Sequence, residues 1–266
     1  MLDIPAIPTD LAGELCRAAE TISGVGARLR LLRDLVPGRL CLTTGFGIEG
    51  QLLTAHAAEF NAGEPGAAIE IVTLDTGRLF PESHDLWRET ERHLGVRITA
   101  LSPSPEAVAE LVARDGADGF HDSVAKRRAC CDIRKVEPLG RALDGVAAWI
   151  TGLRGEQSPE REGVAFAVAD TARGLLKINP LHDWSRAAVL AELRARDIPI
   201  SALEARGYRS IGCAPCTRAV RPHEPERAGR WWWGEAGAAK ECGLHPVPAS
   251  FKTPAIAASD SPLAPA

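Results

Sequence analysis

Arg39-Leu-Cys-Leu-Thr-Thr-Gly-Phe-Gly-Ile-Glu-Gly50 passes from a short apolar run into a glycine-rich turn, and a helical pattern follows over Gln51–Phe60. This succession of strand, loop and helix decides the fold, because it recurs along the chain. Ile69–Asp75, Val96–Leu101, Ala147–Thr151 and Leu175–Asn179 read as further strands. Pro81–Leu94, Pro105–Asp115 and Trp184–Arg196 read as helices. Such alternation predicts an α/β protein, a Rossmann-like and mostly parallel sheet flanked by helices, whose ligands collect at the carboxyl ends of the strands. The loops after Thr44, Asp75 and Thr151 are therefore the places to look for function.

The first loop, Gly45-Phe-Gly-Ile-Glu-Gly50, matches the dinucleotide fingerprint G-x-G-x-x-G, which on its own is a weak signal. Its narrower reading is an anion cradle: backbone N–H groups at a helix start and the hydroxyls of Thr43 and Thr44, with glycines permitting close approach. A tight strand-to-helix turn without a ligand is the plain alternative. The second loop, Asp75-Thr-Gly-Arg-Leu-Phe-Pro81, is hospitable to phosphate, unlike the stretch that normally follows a Rossmann acid. The third, Thr151-Gly-Leu-Arg-Gly-Glu-Gln-Ser-Pro-Glu-Arg161, offers Arg154 and Arg161, and the guanidinium fork suits phosphate or sulfate oxygens. A solvated turn with surface arginines would look the same.

Five of the seven cysteines form a pattern: Cys130-Cys131, then Cys213-Ala-Pro-Cys216, then Cys242 in Lys-Glu-Cys-Gly-Leu-His. Neighbouring Cα atoms lie about 3.8 Å apart, short of the roughly 4.4–6.8 Å that a disulfide needs, so Cys130 and Cys131 are not bonded to each other. Four thiolates on one centre are favoured, and spacing alone leaves zinc and an iron-sulfur cluster open. Cys16 and Cys41 sit among apolar neighbours and read as small buried hydrophobes.

At 266 residues with 45% hydrophobic and 25% charged, the chain can bury a substantial core, read as one domain over 1–245. The first residues lack a basic segment followed by an apolar run, and no stretch of 18 apolar residues occurs, so a soluble cytoplasmic protein is expected, with no membrane contact. An odd cysteine count agrees with reduced thiols. The net charge of -4 gives no global field to recruit nucleic acid, although arginines gather at 126–135 and 218–230. Residues 246–266, rich in Pro, Ala and Ser, are expected to be a disordered tail.

Taken in order, Thr43–Gly50, Leu74-Asp-Thr-Gly-Arg78, Thr151-Gly-x-Arg154, Asn179-Pro-Leu, Gly207–Arg218, Arg227-Ala-Gly-Arg-Trp-Trp-Trp233 and Glu241-Cys-Gly-Leu-His245 resemble the assimilatory sulfonucleotide reductases. These enzymes reduce adenylyl sulfate (APS) or phosphoadenylyl sulfate (PAPS), and the resemblance covers roughly residues 40–245. It implies the adenine-nucleotide α-hydrolase type of α/β sheet. It also implies that Cys130, Cys131, Cys213 and Cys216 hold a [4Fe-4S] cluster, the mark of the APS-preferring branch. Lys135, Arg161, Arg227, Arg230 and His245 fall on positions that face the phosphosulfate; Thr44, Leu74 and Gly152 fall on positions that face the adenosine. One departure stands out: Gly155 occupies a place where the family often has a second arginine, which shifts weight onto Arg161. Independently of resemblance, a helix through Cys131-Asp-Ile-Arg-Lys135 would put Lys135 on the face of Cys131, where a cation bridges cluster and substrate; Pro138 then requires a kink or boundary.

The resemblance implies a reaction in which the Cys242 thiolate attacks the sulfonyl sulfur, AMP leaves, and an S-sulfocysteine forms, on a segment 234–245 that closes over the substrate. Lys240, His245 and the arginines at 227–230 favour the ionised thiol. Thioredoxin or glutaredoxin is the expected electron donor, because the chain has no room for a fused thioredoxin-like domain. The cluster is expected to act electrostatically and structurally, since the thiol path is complete without it. Trp231-Trp-Trp233 reads as a core anchor or a docking surface for thioredoxin. The rivals are a PAPS or dual-specificity reductase, a non-catalytic iron-sulfur or zinc nucleotide sensor, and, far behind, an NAD(P) oxidoreductase. The oligomeric state, a homo-oligomer included, is left open.

Overall fold

The structure is a computed structural model that describes residues 9–234 and 243–244. Cys242, His245, most of the expected closing segment 234–245 and the expected tail 246–266 lie outside the described residues. Two helices, α1 (Thr9–Ala19) and α2 (Val25–Leu35), lead into β1 (Arg39–Thr44) and α3 (Ile48–Gly63). Then come β2 (Ile69–Leu74), α4 (Pro81–Leu94), β3 (Thr99–Leu101), α5 (Pro105–Asp115) and α6 (Val124–Cys131). A π-turn over Asp132–Val136 joins α6 to α7 (Glu137–Leu143), and β4 (Val146–Ile150), β5 (Ala167–Asp170), β6 (Leu175–Ile178), α8 (Arg186–Ala195) and α9 (Ala202–Ala205) follow.

The six strands lie in the order β3-β2-β1-β4-β6-β5, all neighbours parallel except the β5–β6 pair. The mostly parallel sheet expected from the alternation is present. Its central strands are apolar on both faces because helices cover both. Leu40, Leu42, Ala148 and Ile150 pack into the larger core with α2 and α3, whereas Cys41 and Trp149 point the other way into a smaller core with Leu139 and Leu143 of α7. The chain leaves β1 toward β2 and β3, then returns to place β4 on the other side of β1. That reversal opens a crevice at the carboxyl ends of β1 and β4, where open α/β sheets bind ligands.

Two local expectations change, and one strand appears where none was expected. The strand expected over Val96–Leu101 shrinks to Thr99–Leu101, because the Ile98 N–H donates to the Glu91 carboxylate (2.8 Å) instead of joining the ladder. The edge strand β5 forms a hairpin with β6 whose turn is held by Asp170, which accepts from Arg173 N (3.3 Å) and pairs with its guanidinium (2.7 Å). The helix expected to carry Cys131 and Lys135 on one face opens into the π-turn instead, with Glu137 N–H reaching back five residues to Asp132. Pro138 explains this: it has no N–H for the Arg134 carbonyl and its ring crowds that carbonyl, so the helix widens just before it. Among the described residues no helix is long and apolar enough to cross a membrane.

Candidate functional site

A cavity of about 240 Å³ occupies the crevice at the carboxyl ends of β1, β2 and β4. Its floor is the loop after Thr44 and the first turn of α3, a helix whose N-cap, Gly47, brings no side-chain hydrogen bond. The Phe46 N–H donates to Thr44 Oγ1 (3.3 Å), and Gly50 lets the helix come down on that hydroxyl: a Cβ there would stand 2.6 Å from Thr44 Oγ1. Gly152 likewise admits Glu49, whose Cβ would lie 2.8 Å from a Cβ at 152. Leu74 closes one side from the end of β2, and Trp149 another, its indole N–H donating to Thr43 (2.9 Å).

Lys135, Arg161, Arg227 and Arg230 all border this cavity, as do Thr44, Leu74 and Gly152. Lys135, Arg161 and Arg230 are buried. Arg161 donates to the Gln157 side chain, and Arg230 reaches the Ile211 carbonyl (3.3 Å) while lying over the Trp231 ring at 4.7 Å. Burial of cations around a polar cavity is costly unless an anion compensates them.

The four expected ligand cysteines border a second, smaller cavity beside the first: Cys130, Cys131, Cys213 and Cys216, with Arg127, Arg134, Lys135 and Trp231. Lys135 therefore borders both. The Asp75–Arg78 loop, read from sequence as an anion loop, instead cradles the Cys-x-x-Cys segment. Thr76 Oγ1 contacts Cys213 Sγ (3.3 Å), and Arg78 O accepts from Ala214 N (2.8 Å). Arg134 ties the arrangement down by donating to Thr76 O (2.7 Å).

No described cysteine is in a disulfide. Burial pushes Cys130 up and Cys216 up to about 11, the latter raised further by the Cys213 charge. Burial opposes ionisation of Cys213 too, yet Lys135, Thr76 and Arg230 bring it below the ordinary thiol value. Four cysteines gathered in one pocket suit a metal centre that takes thiolate ligands, and two buried N–H groups on the same wall, Arg134 Nε and Trp231 Nε1, have no hydrogen-bond partner among the described residues. The donor chemistry thus fits a thiolate-bound metal centre, zinc and an iron-sulfur group alike. No three His, Cys, Asp or Glu side chains among the described residues are arranged to hold a metal ion as they stand.

The family follows from comparison. Residues 39–219 match the phosphoadenosine phosphosulfate reductase domain, more than half of the chain. The chain belongs to the phosphoadenosine phosphosulfate reductase family. A family member from Agrobacterium fabrum, named adenosine 5'-phosphosulfate reductase, is 44% identical over 257 residues, covering 97% of this chain and 90% of that protein. One of the same name from Allochromatium vinosum is 55% identical over 177 residues, 66% of this chain and 69% of its own length. The crystal structure of phosphoadenylyl-sulfate reductase from Candida auris, a phosphate complex, superposes with a TM-score of 0.67 at 24% identity over 81% of this chain and 99% of that one. At that identity the likeness speaks for the fold of this family.

One sequence reading of the third loop is corrected. Arg154 does not offer itself to a ligand: it is 0% exposed and is held by Glu49 and Glu226. Gly155 itself lines not the cavity but an adjoining surface groove that shares Gln157 and Glu226 with it. Three residues gain a place that sequence reading missed. Thr76 sits on Cys213, and Glu49 and Glu226 stand in the cavity wall; Thr76 and Glu49 lie inside motifs that gave them no role, and Glu226 adjoins Arg227, which was its only signal.

Proposed function

We propose that this chain reduces APS to sulfite and AMP through an S-sulfocysteine on Cys242, with thioredoxin or glutaredoxin as the dithiol donor, in sulfate assimilation. The observation that carries the reading is the cavity at the strand ends, with Lys135, Arg161, Arg227 and Arg230 on its wall and a four-cysteine cavity sharing Lys135 beside it. The relatives named adenosine 5'-phosphosulfate reductase supply the substrate class.

The cations neutralise the phosphosulfate and favour departure of the AMP phosphate. The Cys242 thiolate attacks the sulfonyl sulfur, the S–O bond to AMP breaks with its electron pair on the phosphate oxygen, and the sulfonate stays on Cys242. A donor thiolate then attacks Cys242 Sγ and sulfite leaves with the electron pair of the S–S bond; the donor's second thiol resolves the mixed disulfide and returns Cys242 to its thiol. Leu244, two residues on from Cys242 in sequence, borders the cavity and packs on the smaller core, which supports delivery of Cys242 to the sulfur. Cys130, Cys131, Cys213 and Cys216 would hold a [4Fe-4S] cluster, supplying a fixed charge and a rigid anchor next to Lys135.

Anaerobically purified protein is expected to carry about four irons and four sulfides per chain and to release sulfite from APS in a thioredoxin-coupled assay. Cys242→Ser is expected to bind the nucleotide but release no sulfite, and the wild type without donor to gain one sulfonate on Cys242 by mass spectrometry. Normal turnover by Cys242→Ser would sink the mechanism. Side-by-side kcat/KM on APS and PAPS fixes the nucleotide.

A further inference from the structure

Arg154 is among the most buried charges in the described chain, yet the chemistry above does not use it. Its Nε donates to Glu49 Oε1 (2.7 Å), and its Nη2 donates to both Glu226 oxygens (3.0 and 2.9 Å). Gln157 also donates to Glu49 Oε1 (3.0 Å). Arg154 does not border the substrate cavity, whereas Glu49 and Glu226 do. The third carboxylate on that wall, Glu204, is matched in the same way by Arg186, which stands outside the lining, and by Arg209 (3.3 Å), with Arg186 also 3.5 Å from Glu226.

Left alone, these carboxylates would oppose an anionic ligand. Burial and the Glu49 charge push the Glu226 carboxyl up, and Arg154 pulls against them. The guanidinium also spans three segments that build the wall: the first turn of α3 through Glu49, the loop after β4 through its own backbone, and the stretch before Arg227 through Glu226. Glu226 immediately precedes Arg227, so holding one holds the other.

We infer that Arg154 is a positioning residue: it neutralises Glu49 and Glu226 on the cavity wall and, through Glu226, seats Arg227 for the nucleotide's anionic groups. This role rests on the reading of the cavity as an adenylyl-sulfate site.

The test is AMP binding by titration calorimetry on the full chain, in the wild type and in Glu49→Gln/Glu226→Gln protein, each with and without Arg154→Met. Arg154→Met is expected to weaken AMP at least about tenfold in the wild-type background, equivalent to about 1.4 kcal/mol. In the doubly neutralised background the same substitution is expected to cost less than about threefold, the non-additivity of groups that act through each other. If Arg154→Met does not fold, Arg154→Lys serves. It keeps the charge without the fork, and its loss of about three- to tenfold is expected to be relieved by Glu226→Gln. An equal loss in both backgrounds would make Arg154 a direct ligand and overturn the role. So would a loss under about twofold in the wild-type background. Wild-type protein that binds no AMP overturns the cavity reading, and this role with it.

Discussion

Gly212→Ala separates the cavity's function from the fold's stability. A Cβ at Gly212 would lie 2.2 Å from Arg230 Nη2, 2.5 Å from its Cζ and 2.8 Å from its Nη1, all inside van der Waals contact. What it meets is the far end of a flexible side chain, so the guanidinium retreats and the backbone stays. Arg230 then leaves its place over the Trp231 ring and its contact with the Ile211 carbonyl, losses of about 0.5–1.5 kcal/mol each. Partial recovery in the new rotamer holds the stability cost to roughly 1 kcal/mol, a fall in Tm of a few degrees. The functional cost is larger. A charge-assisted hydrogen bond to an anion is worth about 1.5–3 kcal/mol, so kcat/KM for APS and the affinity for AMP are expected to fall about 10- to 150-fold. Thermal unfolding and the thioredoxin-coupled assay, run on the same preparation, give both numbers. A variant with unaltered AMP binding and a Tm lowered by ten degrees would refute the reasoning, because Arg230 would then be a structural side chain only.

Gly229→Ala is the opposite case: its Cβ would stand 2.2 Å from the Arg218 backbone carbonyl, which cannot swing away, so a loss of about 1–3 kcal/mol is expected by denaturant titration. Serine at Cys130, Cys131, Cys213 or Cys216 is expected to cut iron and sulfide content, whereas Cys41→Ala, a change at a thiol buried between β2 and β4 and pushed up to about 12, leaves the metal content as it was. Arg28 holds the Asp183 carboxyl below its usual value through two bonds of 2.6 and 2.7 Å. Its contribution is therefore complete above the unfolded pKa near 3.8 and disappears as pH falls through the lower folded value; Asp183→Asn is expected to flatten that acid limb of a stability-versus-pH curve.

Much of the sheet was legible because central strands covered on both faces are continuous apolar runs. Leu40-Cys-Leu42 and Ala148-Trp-Ile150 could hardly be anything else once they alternated with helices. What escaped reading was decided by partners far off in sequence. β5 exists because β6 pairs with it and α1 packs on it, with Cys16 Sγ donating to the Ala167 carbonyl (3.3 Å). The residues before β3 are not strand because one side chain, Glu91, takes the Ile98 N–H. The π-turn answers Pro138, whose demand for a boundary was visible while its form was not.

The sequence by itself determined the α/β architecture, the loops that would carry function, and the residue types that meet there: cations for an anion and paired cysteines for a metal group. Those follow from periodicity and side-chain chemistry, which are local. Tertiary structure alone decided which charge faces which. It turned Arg154 from a ligand candidate into a clamp on two acids, set the Asp75–Arg78 loop under Cys213, and brought Lys135 between the two cavities. An arginine pairs with whatever anion the fold delivers within about 4 Å, and only the packed chain specifies that distance.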